Sequence, residues 1–156
     1  MAVDQIVVRL SALGQTLATA ESLTAGLVAA TIVDVPGSSK VFRGGLVVYA
    51  TDLKHSLAGV DAGLLEREGP VSHDVALALA LGARERCGAD WGVSTTGVAG
   101  PTPQDGVAVG TVFVAVCGPS PSSAVVQELA LSGDRPTIRA TTVAAALTLL
   151  ATALSG

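Results

Sequence analysis

A hydroxyl, a phenol and an amine stand close together in Ser39-Lys40-Val41-Phe42-Arg43-Gly44-Gly45-Leu46-Val47-Val48-Tyr49-Ala50-Thr51-Asp52-Leu53-Lys54. Ser39, Tyr49 and Lys54 are the side chains a serine hydrolase needs when it does not use histidine. Only His55 and His73 are present in the chain, and neither sits in a catalytic motif. A serine hydroxyl becomes nucleophilic when a base removes its proton. Lysine can be that base only as the neutral amine, which burial or a neighbouring cation favours. The same spacing also fits a serine that ends a turn, a tyrosine that ends a strand and a solvated lysine.

Three further segments carry polar groups where ligands bind. Ala20-Glu21-Ser22-Leu23-Thr24-Ala25-Gly26 links a short β-prone stretch to a helix. Small and hydroxyl residues there leave backbone N–H groups open to an anion, or cap the helix through Ser22 or Thr24. Thr95-Thr96-Gly97-Val98-Ala99-Gly100-Pro101 puts a loop with few bulky side chains at the end of a strand, where α/β folds bind ligands. It has neither the lysine of a P-loop nor the spacing of a dinucleotide fingerprint. Arg135 and Arg139, in a turn entering the last helix, have the fork geometry for a phosphate or carboxylate, and Arg135 also has Asp134 as a neighbour.

Periodicity supplies the elements that must hold these groups. A helix is expected over 7–13, a strand over 16–20, a helix over 27–33, and a turn at Pro36-Gly37-Ser38-Ser39. A strand over 45–50 leads into a short helix that Thr51 caps and that contains Lys54. A helical turn over 64–68 comes before Gly69-Pro70. Ser72 and Asp74 open a helix that runs to Arg86 and stops at Gly88. A strand over 90–95, a long loop over 96–110, paired strands over 111–117 and 124–131, and a helix over 137–154 complete the chain. Helical crossovers early and a hairpin late predict one α/β domain over 1–156, with a mixed sheet flanked by helices.

Composition narrows the function classes. The 156 residues are 49% apolar but only 3% aromatic, so the core is built from Ala, Val and Leu. Mean hydropathy is +0.59, yet no uninterrupted apolar run reaches the roughly 18 to 20 residues of a membrane span. The net charge of −4 and the lack of a basic run argue against nucleic acid as a partner. Cys87 and Cys117 have neither metal-ligand nor disulfide spacing, so no metal site is expected. Two free thiols and a start, Met1-Ala2-Val3-Asp4-Gln5, without a secretion signal make the cytoplasm the expected compartment. The Ala- and Leu-rich last helix suits a subunit interface, and a homo-oligomer is expected.

Taken in order, these segments resemble the CinA C-terminal domain family, whose stand-alone members are nicotinamide-nucleotide amidases. The resemblance rests on Glu21-Ser22-x-Thr24-x-Gly26, Pro36-Gly37-Ser38-Ser39, Arg43-Gly44 with Tyr49 and Lys54, Gly69-Pro70-Val71-Ser72, Thr96-Gly97-Val98-Ala99-Gly100-Pro101, Val109-Gly110-Thr111-Val112 and Gly133-Asp134-Arg135. It implies a layered α/β/α fold and hydrolysis of the carboxamide of nicotinamide mononucleotide, releasing ammonia, without metal or organic cofactor. It also implies Ser39 as nucleophile, Lys54 as base and Tyr49 as assistant. Substrate would be held by Ser22, Thr24, Gly26, Thr96, Gly97, Gly100, Arg135 and Arg139. Two departures stand out: Leu23 and Ala25 replace a cysteine and a glycine common in the family, and the loop before Val109 lacks a frequent lysine.

Overall fold

The computed structural model describes residues 2–156; Met1 lies outside the described residues. Helix α1 (Val3–Leu13) is followed by β1 (Leu17–Glu21), α2 (Leu27–Val33), a 3-10 turn at Ser38–Lys40 and β2 (Phe42–Val47). Three helices follow, α3 (Thr51–Ser56), α4 (Ala62–Glu68) and α5 (His73–Cys87), and then β3 (Trp91–Gly97). The hairpin of β4 (Thr111–Cys117) and β5 (Val125–Ala130) precedes α6 (Arg135–Ser155).

The sheet runs β2-β1-β3-β4-β5, parallel across β2, β1 and β3 and antiparallel from β3 to β5. The expected mixed sheet between helical layers is therefore what forms. On one side α1, α2 and α6 cover Leu17 of β1, Val93 of β3 and Val112, Val114 and Val116 of β4. On the other, α5 covers Ala18 and Ala20 with α4, while its Ala76 and Ala80 meet Phe113 and Ala115. Small residues let α5 lie close to the sheet: a Cβ on Gly92 would fall 1.9 Å from the Ala80 carbonyl oxygen.

Element ends follow local chemistry. The Ser72 hydroxyl accepts from the Val75 N–H to start α5, and Gly88, with φ 60°, ends it. The Asp134 carboxylate likewise accepts from the Thr137 N–H, which starts α6 at Arg135, two residues before the expected start. At 21 residues α6 has the length and apolarity of a membrane span, beyond what the uninterrupted apolar run suggested. Its inner face, with Ile138, Val143, Ala146 and Leu150, closes the core against the sheet.

Candidate active site

Because β1, β2 and β3 are parallel, their C-terminal ends share one edge, and there the chain leaves β1 toward α2 on one face of the sheet and β2 toward α5 on the other. In α/β sheets a crevice opens at such a point. Here it is a cleft of about 240 Å³ lined by Ser22 from the end of β1, Tyr49 and Lys54 from beyond β2, Thr96 to Gly100 from the end of β3, and Arg135 from α6.

Lys54 sits on α3 with only 1% of its surface exposed. Its Nζ is 3.0 Å from Ser22 Oγ, 2.8 Å from the Val48 carbonyl oxygen and 3.4 Å from that of Tyr49. Among the described residues no carboxylate pairs with it, so desolvation dominates and lowers its pKa from 10.5 to about 8. The three partners suit both protonation states. An ammonium has three N–H bonds for three acceptors. A neutral amine gives two to the carbonyls and turns its lone pair toward the Ser22 hydroxyl.

Ser22 is held by the sheet. Its N–H donates to the Thr95 carbonyl, and the Val48 N–H donates to the Glu21 carbonyl, so the sheet pairing continues one residue past each strand. The turn after Ser22 has two consecutive left-handed residues, Ala25 with φ 48° and Gly26 with φ 99°. Glu21, only 1% exposed, anchors this turn. Its carboxylate accepts from Thr24 Oγ1 at 2.6 Å and from the Val28 and Ala29 N–H groups of α2 at 2.8 and 3.0 Å. Thr24 Oγ1 also lies 2.8 Å from Thr95 Oγ1, joining the turn to β3.

The expected pairing of Ser39 with Lys54 is not what the fold builds. Ser39 is exposed on the 3-10 turn before β2, whereas Lys54 lies beyond the other end of that strand. Six residues of strand at about 3.3 Å each separate the two ends, far outside hydrogen-bond reach. Ser22 takes the place expected of Ser39.

The remaining expected residues divide into cleft and frame. Tyr49, 58% exposed, stands at the mouth, where its hydroxyl accepts from Arg135 Nη2 at 2.8 Å. Arg135 Nη1 also donates to the Gly100 carbonyl at 2.7 Å, so this arginine spans the opening. Thr96, Gly97 and Gly100 line the wall, although the Thr96 hydroxyl is committed to the Pro70 carbonyl at 2.6 Å. Thr24 and Gly26 belong to the frame under Ser22 and do not line the cleft. Arg139 also lies outside it and donates to the Leu23 carbonyl at 2.8 Å.

Residues 2–154 match the CinA C-terminal domain family. The chain belongs to that family. A CinA-like protein of Frankia casuarinae is 51% identical over 141 residues, covering 90% of this chain and 32% of the relative. A putative competence-damage inducible protein of Desulforamulus reducens is 42% identical over 134 residues, covering 86% and 32%. The chain thus spans about a third of the length of the curated relatives it matches. Solved structures of the CinA superfamily are matched over nearly their whole length. The competence/damage inducible protein CihA of Agrobacterium tumefaciens is 33% identical with a TM-score of 0.88, over 97% of this chain and 94% of that one. A superfamily protein of Escherichia coli is 31% identical with a TM-score of 0.89, over 96% and 89%.

Within this CinA-type fold, Glu21 and the direct contact of Ser22 with Lys54 were not foreseen from sequence. A signal existed: Ser22 directly follows a strand and opens a tight turn into a helix, the arrangement that exposes a nucleophile at a sheet edge.

Proposed function

We propose that the cleft is an amidase site in which Ser22 is the nucleophile and Lys54 the general base. The observation that carries this reading is the 3.0 Å contact between a buried amine, its pKa lowered to about 8, and a serine hydroxyl at a sheet edge. Neutral Lys54 takes the Ser22 proton as Oγ bonds to the amide carbon. The resulting ammonium gives that proton to the amide nitrogen, the C–N bond breaks, and ammonia leaves an ester on Ser22. Water then attacks the ester. Lys54 removes one proton from it and returns a proton to Ser22 Oγ as the carboxylic acid departs, which then loses its remaining proton to solvent. Among the described residues the Leu23 N–H beside the nucleophile has no acceptor, which leaves it available to a substrate oxyanion.

The substrate proposed is nicotinamide mononucleotide, converted to nicotinate mononucleotide. Arg135 at the mouth suits its phosphate, and the cleft interior its carboxamide. The test is ammonia release from nicotinamide mononucleotide by the purified chain, with mass spectrometry of peptides after rapid acid quench. Ammonia together with an acyl mass on the Ser22 peptide is the expected result. Nucleotide binding without ammonia would make the domain a binding module, and ammonia released only from other amides would remove the substrate assignment.

A further inference from the structure

Arg139 resembled a phosphate ligand in the sequence, yet its guanidinium is turned away from the cleft toward the turn that carries Ser22. Nε donates to the Leu23 carbonyl at 2.8 Å and Nη2 to the Thr24 carbonyl at 3.4 Å. Among the described residues the single ion pair is His73 with Asp74, so these carbonyls are not competing with a carboxylate for Arg139.

We propose that Arg139 is a positioning residue that clamps the nucleophile turn from α6. The turn needs an external hold, because Ala25 occupies a left-handed conformation that a side chain disfavours. Glu21 and Thr95 grip it through the Thr24 hydroxyl and the α2 amides. Among the described residues, Arg139 is the one side chain that bonds the Leu23 and Thr24 carbonyls, in the peptide units directly after Ser22. Planarity of those units ties the Leu23 carbonyl to the Thr24 N–H and the Thr24 carbonyl to the Ala25 N–H. The Ala25 N–H in turn closes the turn on the Ser22 carbonyl at 3.1 Å. A fixed guanidinium therefore fixes the direction in which Ser22 leaves β1, and with it the approach of Oγ to Lys54.

The kinetic part of this proposal rests on the amidase reading; the structural part does not. The experiment compares wild type with R139Q, R139A and R139K by amide hydrogen exchange and by ammonia release from nicotinamide mononucleotide. R139K keeps charge and stem where the larger truncations perturb folding. Exchange at the Ala25 and Leu27 amides should rise about tenfold or more in R139Q, with β1 and β3 amides unchanged. The kcat should fall by about 100-fold with KM within about twofold, and added guanidinium should restore R139A. Unchanged exchange at the turn would overturn the clamp whatever the kinetics show. A raised KM with kcat intact would overturn it in favour of substrate binding. Faster exchange in variants of a chain whose wild type releases no ammonia would uphold the clamp and remove the amidase reading.

Discussion

Lys54 Nζ and Ser22 Oγ meet at 3.0 Å inside the protein, although 32 residues separate them in the chain. The contact exists because β1 and β2 are parallel neighbours, which brings whatever follows each strand to the same edge. It makes the two serines of the sequence experimentally distinguishable. Ser22→Ala should lower ammonia release by at least about 1,000-fold, with the fold intact by circular dichroism. Ser39→Ala, on the opposite edge, should stay within about twofold of wild type. Loss of activity in Ser39→Ala and retention in Ser22→Ala would reverse the assignment.

The pH dependence follows from Lys54. The base works only when neutral, so kcat should rise with pH along a limb centred near 8, and about a tenth of the maximum should remain at pH 7. Stability has its own sign. Burial lowers this pKa from 10.5 to about 8, so between those values the unfolded chain binds the proton that the folded one has released. Wild-type stability should therefore rise relative to Lys54→Met by up to about 3 kcal/mol as pH climbs through that window. Urea denaturation of both proteins at pH 7 and pH 10 measures it, and an unchanged difference would contradict the lowered pKa.

Arg135 spans the cleft mouth from Gly100 to Tyr49, where a substrate anion can exchange with the tyrosine hydroxyl. Arg135→Ala should raise KM for nicotinamide mononucleotide about 10- to 100-fold, the worth of a charge-assisted contact. The same change should leave the phosphate-free riboside almost unaffected. Equal losses on both substrates would place the phosphate elsewhere.

Two backbone positions should respond in opposite directions to a single methyl group. Ala25 holds φ 48° with a side chain, so Ala25→Gly should stabilise the chain by up to about 1 kcal/mol after the entropy of glycine is set against the relieved strain. Gly92→Ala would push a Cβ to 1.9 Å from the Ala80 carbonyl and drive α5 off the sheet, destabilising by about 3 kcal/mol or more. Denaturant midpoints of the two variants check both signs.

Where the sequence could be read and where it could not is a matter of interaction range. Helix α2 and strand β4 were legible to the residue, because an apolar pattern bounded by glycine at one end decides them locally. Strand β2 begins at Phe42, three residues before the expected start, since Gly44 has little strand preference of its own. Glycine fits there because a Cβ on Gly45 would fall 2.5 Å from the Thr19 hydroxyl of the neighbouring strand. That shift puts Tyr49 beyond the strand end and turns its carbonyl to Lys54 and its hydroxyl to Arg135. The choice between Ser22 and Ser39 depends on which strands pair, and the role of Arg139 on a contact 116 residues away. Local spacing encodes neither.

The order in which the chain is made gives that last contact a consequence in time. Ser22 and Lys54 both lie within the first 54 residues of the 156, whereas the Arg139 guanidinium follows Leu23 by 116 residues. At about 5–20 residues per second, translation separates them by on the order of ten seconds. During synthesis the turn after Ser22 therefore lacks its Arg139 hydrogen bonds until α6 has been made and docks.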